Sequence, residues 1–225
     1  MHPLDNVIWN ALTTRQAGFA QGSGESRRFQ ADVSPLTAFA EESASGYRSL
    51  GQLIGKNGVA GLFLDHPFEP RSDWEYLAGA PLLQMVCTTG NGHVSTNAQI
   101  VELGTKDSPE MLELTTLTKP GPFGTRTHEL GTYLGIRQDG KLVAMAGERL
   151  KVPGFTEVSA VCTHPDHLGK GYARTLMLEV MHCIRERGET PFLHVRQDNV
   201  RAIELYKKLG FSERKLGHYA VLRNI

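Results

Sequence analysis

From Glu157 to Ala173 the chain runs through an apolar stretch, Val158 to Thr163, into His164-Pro165-Asp166-His167 and then Leu168-Gly169-Lys170-Gly171-Tyr172-Ala173. That order reads as a strand, a loop with two glycines, and the start of a helix. The first N–H groups of a helix have no partner inside it, and the helix dipole adds positive charge at the same end. An anion such as a phosphate suits that place, and glycines let the backbone come close to it. An ordinary glycine turn before a helix would look the same, so spacing alone leaves both readings open. Two other phosphate motifs fail. A Walker loop needs a glycine where His164 stands and a hydroxyl residue where Gly171 stands. A dinucleotide fingerprint needs a glycine where Arg174 stands and an acidic residue ending the next strand, which closes on Arg196-Gln197 before Asp198.

A second stretch lies one strand further on. Asn199, Ala202, Leu205, Tyr206, Gly210 and Phe211 have the spacing N-x-x-A-x-x-L-Y-x-x-x-G-F. Together with Leu168 to Ala173, this pair of motifs resembles the GNAT superfamily of N-acetyltransferases. That family's phosphate motif is Gln/Arg-x-x-Gly-x-Gly/Ala; Gly171 and Ala173 fit it, and Leu168 replaces the Gln or Arg. The resemblance covers Thr96 to Ile225, and the C-terminal part looks like the glycine N-acyltransferase-like branch. The resemblance implies acetyl-CoA or a related acyl-CoA as donor. Backbone of Val161, Cys162 and Thr163 would pair with pantetheine. Amides of Leu168, Gly169, Lys170, Gly171, Tyr172, Ala173 and Arg174 would hold the pyrophosphate. Asn199 would position the cofactor arm, and Tyr206 would protonate the leaving thiolate. The acceptor would be a primary amine, on a small molecule or a protein, attacking the thioester directly. A CoA-binding sensor without catalysis is the rival reading. Leu168 favours that rival; Tyr206 and the intact second motif favour the enzyme.

An alkyl ammonium has a pKa of roughly 10 and must lose a proton before it attacks. A carboxylate, directly or through water, can take it. Glu157 has the spacing of the glutamate base in histone-type members of the resembled family, with Glu148 and His194 as alternatives. Each has a plainer reading: Glu157 as a solvated strand start, His194 as a hydrogen-bonded core residue, Tyr206 as a packed side chain on an apolar helix face. Cys162, His164 and His167 fall short of a tetrahedral metal set, so no metal is expected. A thioester can be attacked by the amine itself, so Cys162 is not needed as a nucleophile. Lys119 to Gly124, with Phe123, reads equally as an acceptor-side loop or a simple connection.

The elements that must hold these groups follow from pattern. A strand at Ala98–Leu103 and a helix to Thr118 precede two strands, Tyr133–Arg137 and Leu142–Leu150, around the hairpin pair Asp139-Gly140. Then come strand Glu157–Thr163, helix Gly169–Arg187, strand Phe192–Arg196, a helix capped near Asn199, and two short strands at Phe211–Lys215 and Tyr219–Leu222. This predicts an α/β (α+β) fold of mixed sheet. Before it, a helix from Pro3 to Phe19 and strands at Arg27–Phe29, Val59–Leu64 and Leu82–Cys87 are expected. Gly90-Asn91-Gly92 marks the expected boundary between an N-terminal domain, 1–92, read as a reduced GNAT-like copy, and a GNAT domain, 93–225. The 225 residues carry 24 basic and 24 acidic side chains. That balance gives no overall pull toward nucleic acid or an acidic membrane. No apolar run is long enough to cross a bilayer. With three widely spaced cysteines and no secretory pattern at the start, a cytoplasmic protein is expected, and a homodimer is compatible with it.

Overall fold

A computed structural model describes residues 2–89 and 99–225. Its centre is an eight-stranded sheet in the order β4-β11-β5-β10-β9-β8-β7-β6. The strands are β4 (Val59–Leu64), β5 (Trp74–Val86), β6 (Ile100–Leu103), β7 (Tyr133–Gln138), β8 (Lys141–Val152), β9 (Phe155–Thr163), β10 (Thr190–Arg196) and β11 (Ser212–Asn224). Among the described residues every neighbouring pair is antiparallel except β9 and β10. A smaller sheet, β1 (Ala20–Gln21), β2 (Ser26–Phe29) and β3 (Thr37–Phe39), stands beside it.

Helix α4 (Tyr172–Glu186) makes the crossover from β9 to β10, as a parallel pair requires. Its apolar stripe of Leu176, Met177, Val180, Met181 and Ile184 is fully buried. That stripe packs with Val158 of β9 and with Leu193 and Val195 of β10. Alternation sends Phe192 of β10 to the other face, and Ala160 and Cys162, of the same parity as Val158, reach it because the β9 register shifts on β8 between Ser159 and Cys162. Phe192 packs with α1 (Val7–Thr13). Ala160 and Cys162 pack with Met111 and Leu114 of α3 (Ser108–Thr118). The sheet thus separates α4 from α1 and α3, and each side of β9 and β10 is covered.

The mixed sheet is the one expected, with changes in detail. The first helix is shorter than Pro3–Phe19, because Thr13 and Thr14 turn their hydroxyls back onto the carbonyls of Trp9 and Asn10 near its end. Helix α2 (Ala44–Ile54) is not legible from propensity, since Gly46 and Gly51 lie inside it. Ser43 caps it, accepting from the Gly46 N–H at 3.0 Å. The two closing strands are one long strand, β11, which absorbs a register shift between Glu213 and Lys215. Strand β5 runs through Pro81, whose carbonyl accepts from Gln197 just beyond the end of β10. The missing proline N–H therefore faces a side where no strand continues. The expected division at Gly90-Asn91-Gly92 lies outside the described residues. Strands from both sides of it share the large sheet, with β5 seated between β10 and β11.

Gly147 of β8 is dictated by a close approach. A Cβ there would come within 2.3–2.5 Å of the Tyr133 ring on the neighbouring strand. Gly147→Ala is therefore expected to destabilise the fold by about 1–3 kcal/mol, the usual cost of overpacking. Urea unfolding measures it; a loss below ~0.5 kcal/mol would show that the ring can move aside.

Candidate active site

Strands β9 and β10 pair only through Phe155–Thr190, Thr156–Pro191 and Glu157–Phe192. Beyond Glu157 they part, although β9 continues to Thr163 and β10 to Arg196. Within the free stretch the β9 register on β8 slips between Ser159 and Cys162, and Ala160 takes a left-handed φ of 53°. A non-glycine residue in that region marks a strained bulge. The parted edge of β9 leads into the glycine loop. There Gly169 and Gly171 both have left-handed backbone, φ 79° and 78°. A Cβ on either would meet nothing within 4 Å, so the loop faces open space. No side chain caps α4. Among the described residues, the N–H groups from Gly169 to Arg174 find no backbone acceptor. Lys170 lies in the same loop and Arg174 in the first turn of the helix.

A cleft of about 610 Å³ opens in front of these groups. Val161, Cys162, Thr163, Leu168, Gly169, Lys170, Gly171, Tyr172, Ala173, Arg174, Asn199 and Tyr206 all line it. Of the expected site residues, Glu157 does not. His167, weighed in the sequence only as a metal ligand, also lines it, as do Arg201 and Lys208, which sequence passes over since scattered basic residues on a helix carry no motif. The Thr163 hydroxyl is buried there without a hydrogen-bond partner among the described residues. Leu168 stands 54% exposed at the rim.

Helix α5 (Val200–Lys208) forms the far wall. Asn199 caps it, its side-chain oxygen accepting from the Ala202 N–H at 3.2 Å. That leaves the amide N–H₂ of Asn199 for a ligand. Tyr206 is half-buried, with Phe211 as its ring neighbour at 6.1 Å. Burial pushes its phenol up to about 12, so it keeps its proton at neutral pH. The Cys162 thiol is also pushed up by burial, to about 11, which leaves it a poor nucleophile.

Glu157 sits on the other side of the parting, with no exposed surface. Arg149 of β8 grips it with two hydrogen bonds, Nε to Oε2 at 2.8 Å and an Nη to Oε1 at 2.7 Å. The Leu150 N–H adds a third at 3.3 Å, and His194 Nδ1 lies 2.6 Å from Oε1. Burial alone would raise the carboxyl pKa, but the Arg149 guanidinium and the His194 contact outweigh it and hold Glu157 down to about 2. His194 meets the Gln84 amide nitrogen at 3.1 Å through Nε2. An amide nitrogen can only donate, so Nε2 accepts and Nδ1 carries the proton toward Glu157. A void of about 30 Å³, bordered by His194, Gln84 and Lys215, lies next to this pair; it is large enough for one water. Glu148, the other alternative, is wholly buried and committed to Lys151 and Arg187. Arg149 and Glu157 are opposite charges on neighbouring apolar strands, a pairing that sequence shows only once the register is known.

This geometry has relatives. A family model described as FR47-like protein matches residues 133–220. A crystal structure of a GNAT-family protein from Novosphingobium aromaticivorans DSM 12444 superposes over the whole of both chains, with a TM-score of 0.92 and 37% identity. The chain belongs to the GNAT family. The N-alpha-acetyltransferase RimI of Mycobacterium tuberculosis is 39% identical over 99 residues, which is 41% of this chain and 61% of that protein. The [Ribosomal protein bS18]-alanine N-acetyltransferase of Escherichia coli K12 is 29% identical over 120 residues, 51% of this chain and 80% of that protein. The chain thus spans less than two thirds of the length of the RimI relative. Among the described residues, no helix of this GNAT chain is long and apolar enough to cross a membrane.

The Glu157 geometry makes a pH prediction for this family member. A carboxylate with a lowered folded pKa stabilises fully above its unfolded value, roughly 4.3, and that stabilisation is lost as pH falls toward about 2. Thermal melts between pH 7 and 3 should show the wild-type Tm declining below about pH 4.5. Glu157→Gln should start lower, by about 3–5 kcal/mol, because Arg149 loses its buried counter-charge. It should also lose this part of the acid decline. Equal acid slopes in the two proteins would remove Glu157 from the titration.

Proposed function

We propose that this GNAT chain transfers an acetyl group from acetyl-CoA to a primary amine by direct attack on the thioester. One observation carries the reading: the parted strands, the uncapped helix start and Tyr206 face a single cleft. The free amides of Gly169 to Arg174, with Lys170 and Arg174, suit a pyrophosphate. The free edge of Val161 to Thr163 offers backbone groups to the amides of a pantetheine arm, and the unpartnered Thr163 hydroxyl offers one more. Bound acetyl-CoA supplies an acyl group on a good leaving thiolate. The bulge at Ala160 interrupts the β8–β9 ladder where a thioester carbonyl would lie, and a backbone N–H freed there can hold its oxygen.

Tyr206 with a phenol at about 12 is a weaker acid than an ordinary thiol near ~8.5. Its contribution is a hydrogen bond to sulfur that strengthens as negative charge builds there. Glu157, at about 2, does not keep a proton at neutral pH. Its base role runs through His194: Nε2 releases the Gln84 N–H it accepts at rest and takes the amine proton, by way of the neighbouring water-sized void, while Nδ1–H stays on Glu157, which stabilises the resulting charge. The acceptor class is drawn from the Escherichia coli relative's name, which specifies an alanine of a ribosomal protein, so peptide N-termini are the first acceptors to test. The place in the glycine N-acyltransferase-like branch rests on the likeness of the C-terminal part and belongs to this proposal.

The test is release of free CoA from acetyl-CoA across a panel of peptides and small amines. Tyr206→Phe should keep its fold and its acetyl-CoA affinity by calorimetry, with kcat lowered by roughly 10²-fold. Wild-type turnover in that variant, when chemistry limits, would return Tyr206 to a packing role. Leu168→Arg should tighten acetyl-CoA binding by about 1 kcal/mol through one charge-assisted hydrogen bond. Weaker binding would mean that the loop does not face the phosphates.

A further inference from the structure

The Tyr133 hydroxyl is the best-placed polar group that the chemistry above leaves unused. Tyr133 is 1% exposed, and its hydroxyl is buried without a hydrogen-bond partner among the described residues. A buried hydroxyl left unpaired costs stability, and a phenylalanine would fill the same space without that cost. The register shows where it points. Tyr133 of β7 lies opposite Gly147 of β8, and Gly147 lies opposite Ser159 of β9. With no side chain on Gly147, the ring lies across β8, its carbons within 2.3–2.5 Å of where a Cβ would be. Strands are about 4.8 Å apart, so a tyrosine crossing one strand delivers its hydroxyl to the next. There it shares a cluster with Ala160 and Cys162, the residues of the bulge. Arg149 and Glu157 are near enough to act electrostatically on the phenol. Phe123, from the Lys119–Gly124 loop, stands edge-on to the ring at 5.7 Å.

We infer that the Tyr133 hydroxyl is an acceptor-positioning group: it hydrogen-bonds the incoming amine at the β9 bulge, from the side opposite the acetyl-CoA cleft. This rests on the transferase reading above. A glycine and a tyrosine on adjacent strands are thereby committed to holding one hydroxyl where the nucleophile must arrive. A hydroxyl can accept from the N–H of a neutral primary amine and donate in turn to an oxygen of the same substrate.

Tyr133→Phe tests it in two measurements on the full chain. The first is a thermal melt without ligand. Removing an unpaired hydroxyl should leave Tm at or above the wild-type value. A clear drop would mean that the hydroxyl has a structural partner, and would overturn the inference whatever the acceptor. The second uses the best peptide or amine from the panel. The acceptor KM should rise about tenfold, with acetyl-CoA affinity by calorimetry unchanged. An unchanged acceptor KM and kcat would also overturn it. Failure of the transferase reading looks different: the wild type itself would release no CoA with any amine, while the melt would still judge the hydroxyl.

Discussion

Three residue pairs hold β9 beside β10, and then the two strands separate. A sheet that parts in its middle leaves backbone N–H and C=O groups without partners, which a folded protein tolerates only where something else can meet them. The parting survives because both strands are anchored elsewhere. On one side β9 is laced to β8 from Phe155 to Thr163, and on the other β10 is laced to β5 from Leu82 to Val86. The α4 stripe fills the layer behind them. The cleft is thus a gap kept open by its neighbours, with the uncapped start of α4 at its mouth. The substitution of Leu168 for a polar residue is compatible with this plan, because the phosphate-facing groups are amides.

A second constraint sits on the opposite side of the gap. Glu157, Arg149 and His194 form a buried, hydrogen-bonded cluster. Such a cluster is costly to desolvate and is stable only when complete. It fixes the imidazole's orientation and tautomer next to the point where the strands diverge. It also ties the N-terminal segment to the site, since Gln84 joins His194 to the Leu4 carbonyl and to Arg214, which reaches Asp5. The early part of the chain therefore helps to build the floor of the site.

What sequence made legible was local. The hairpin at Asp139-Gly140 forms as expected, with both residues left-handed at φ 49° and 81°. The α4 stripe, the Asn199 cap and the glycine loop also follow from spacing, and the cleft gathers every cofactor-side residue named in advance. What was not legible depends on long-range register. Nothing in Leu82 to Val86 announces that it will slot between β10 and β11, because pairing partners 130 residues apart leave no periodic trace. The bulge at Ala160 is invisible for the same reason, since alanine carries no sign of a left-handed backbone. Glu157 was read as an exposed strand start because its neutralising partner, Arg149, lies on a different strand. Burial of a charge can be recognised only together with its counter-charge.

The central claim is that the parted edge of β9 and the start of α4 together hold acetyl-CoA. Amide hydrogen exchange with and without acetyl-CoA tests it most directly, since the N–H groups of the glycine loop and helix start find no backbone acceptor among the described residues. The account predicts that added acetyl-CoA slows exchange in two segments, residues 161–163 and 168–174, and leaves the exposed part of β5, residues 75–80, unchanged. Binding without protection at 161–163 and 168–174, or with protection centred on another surface, would contradict it.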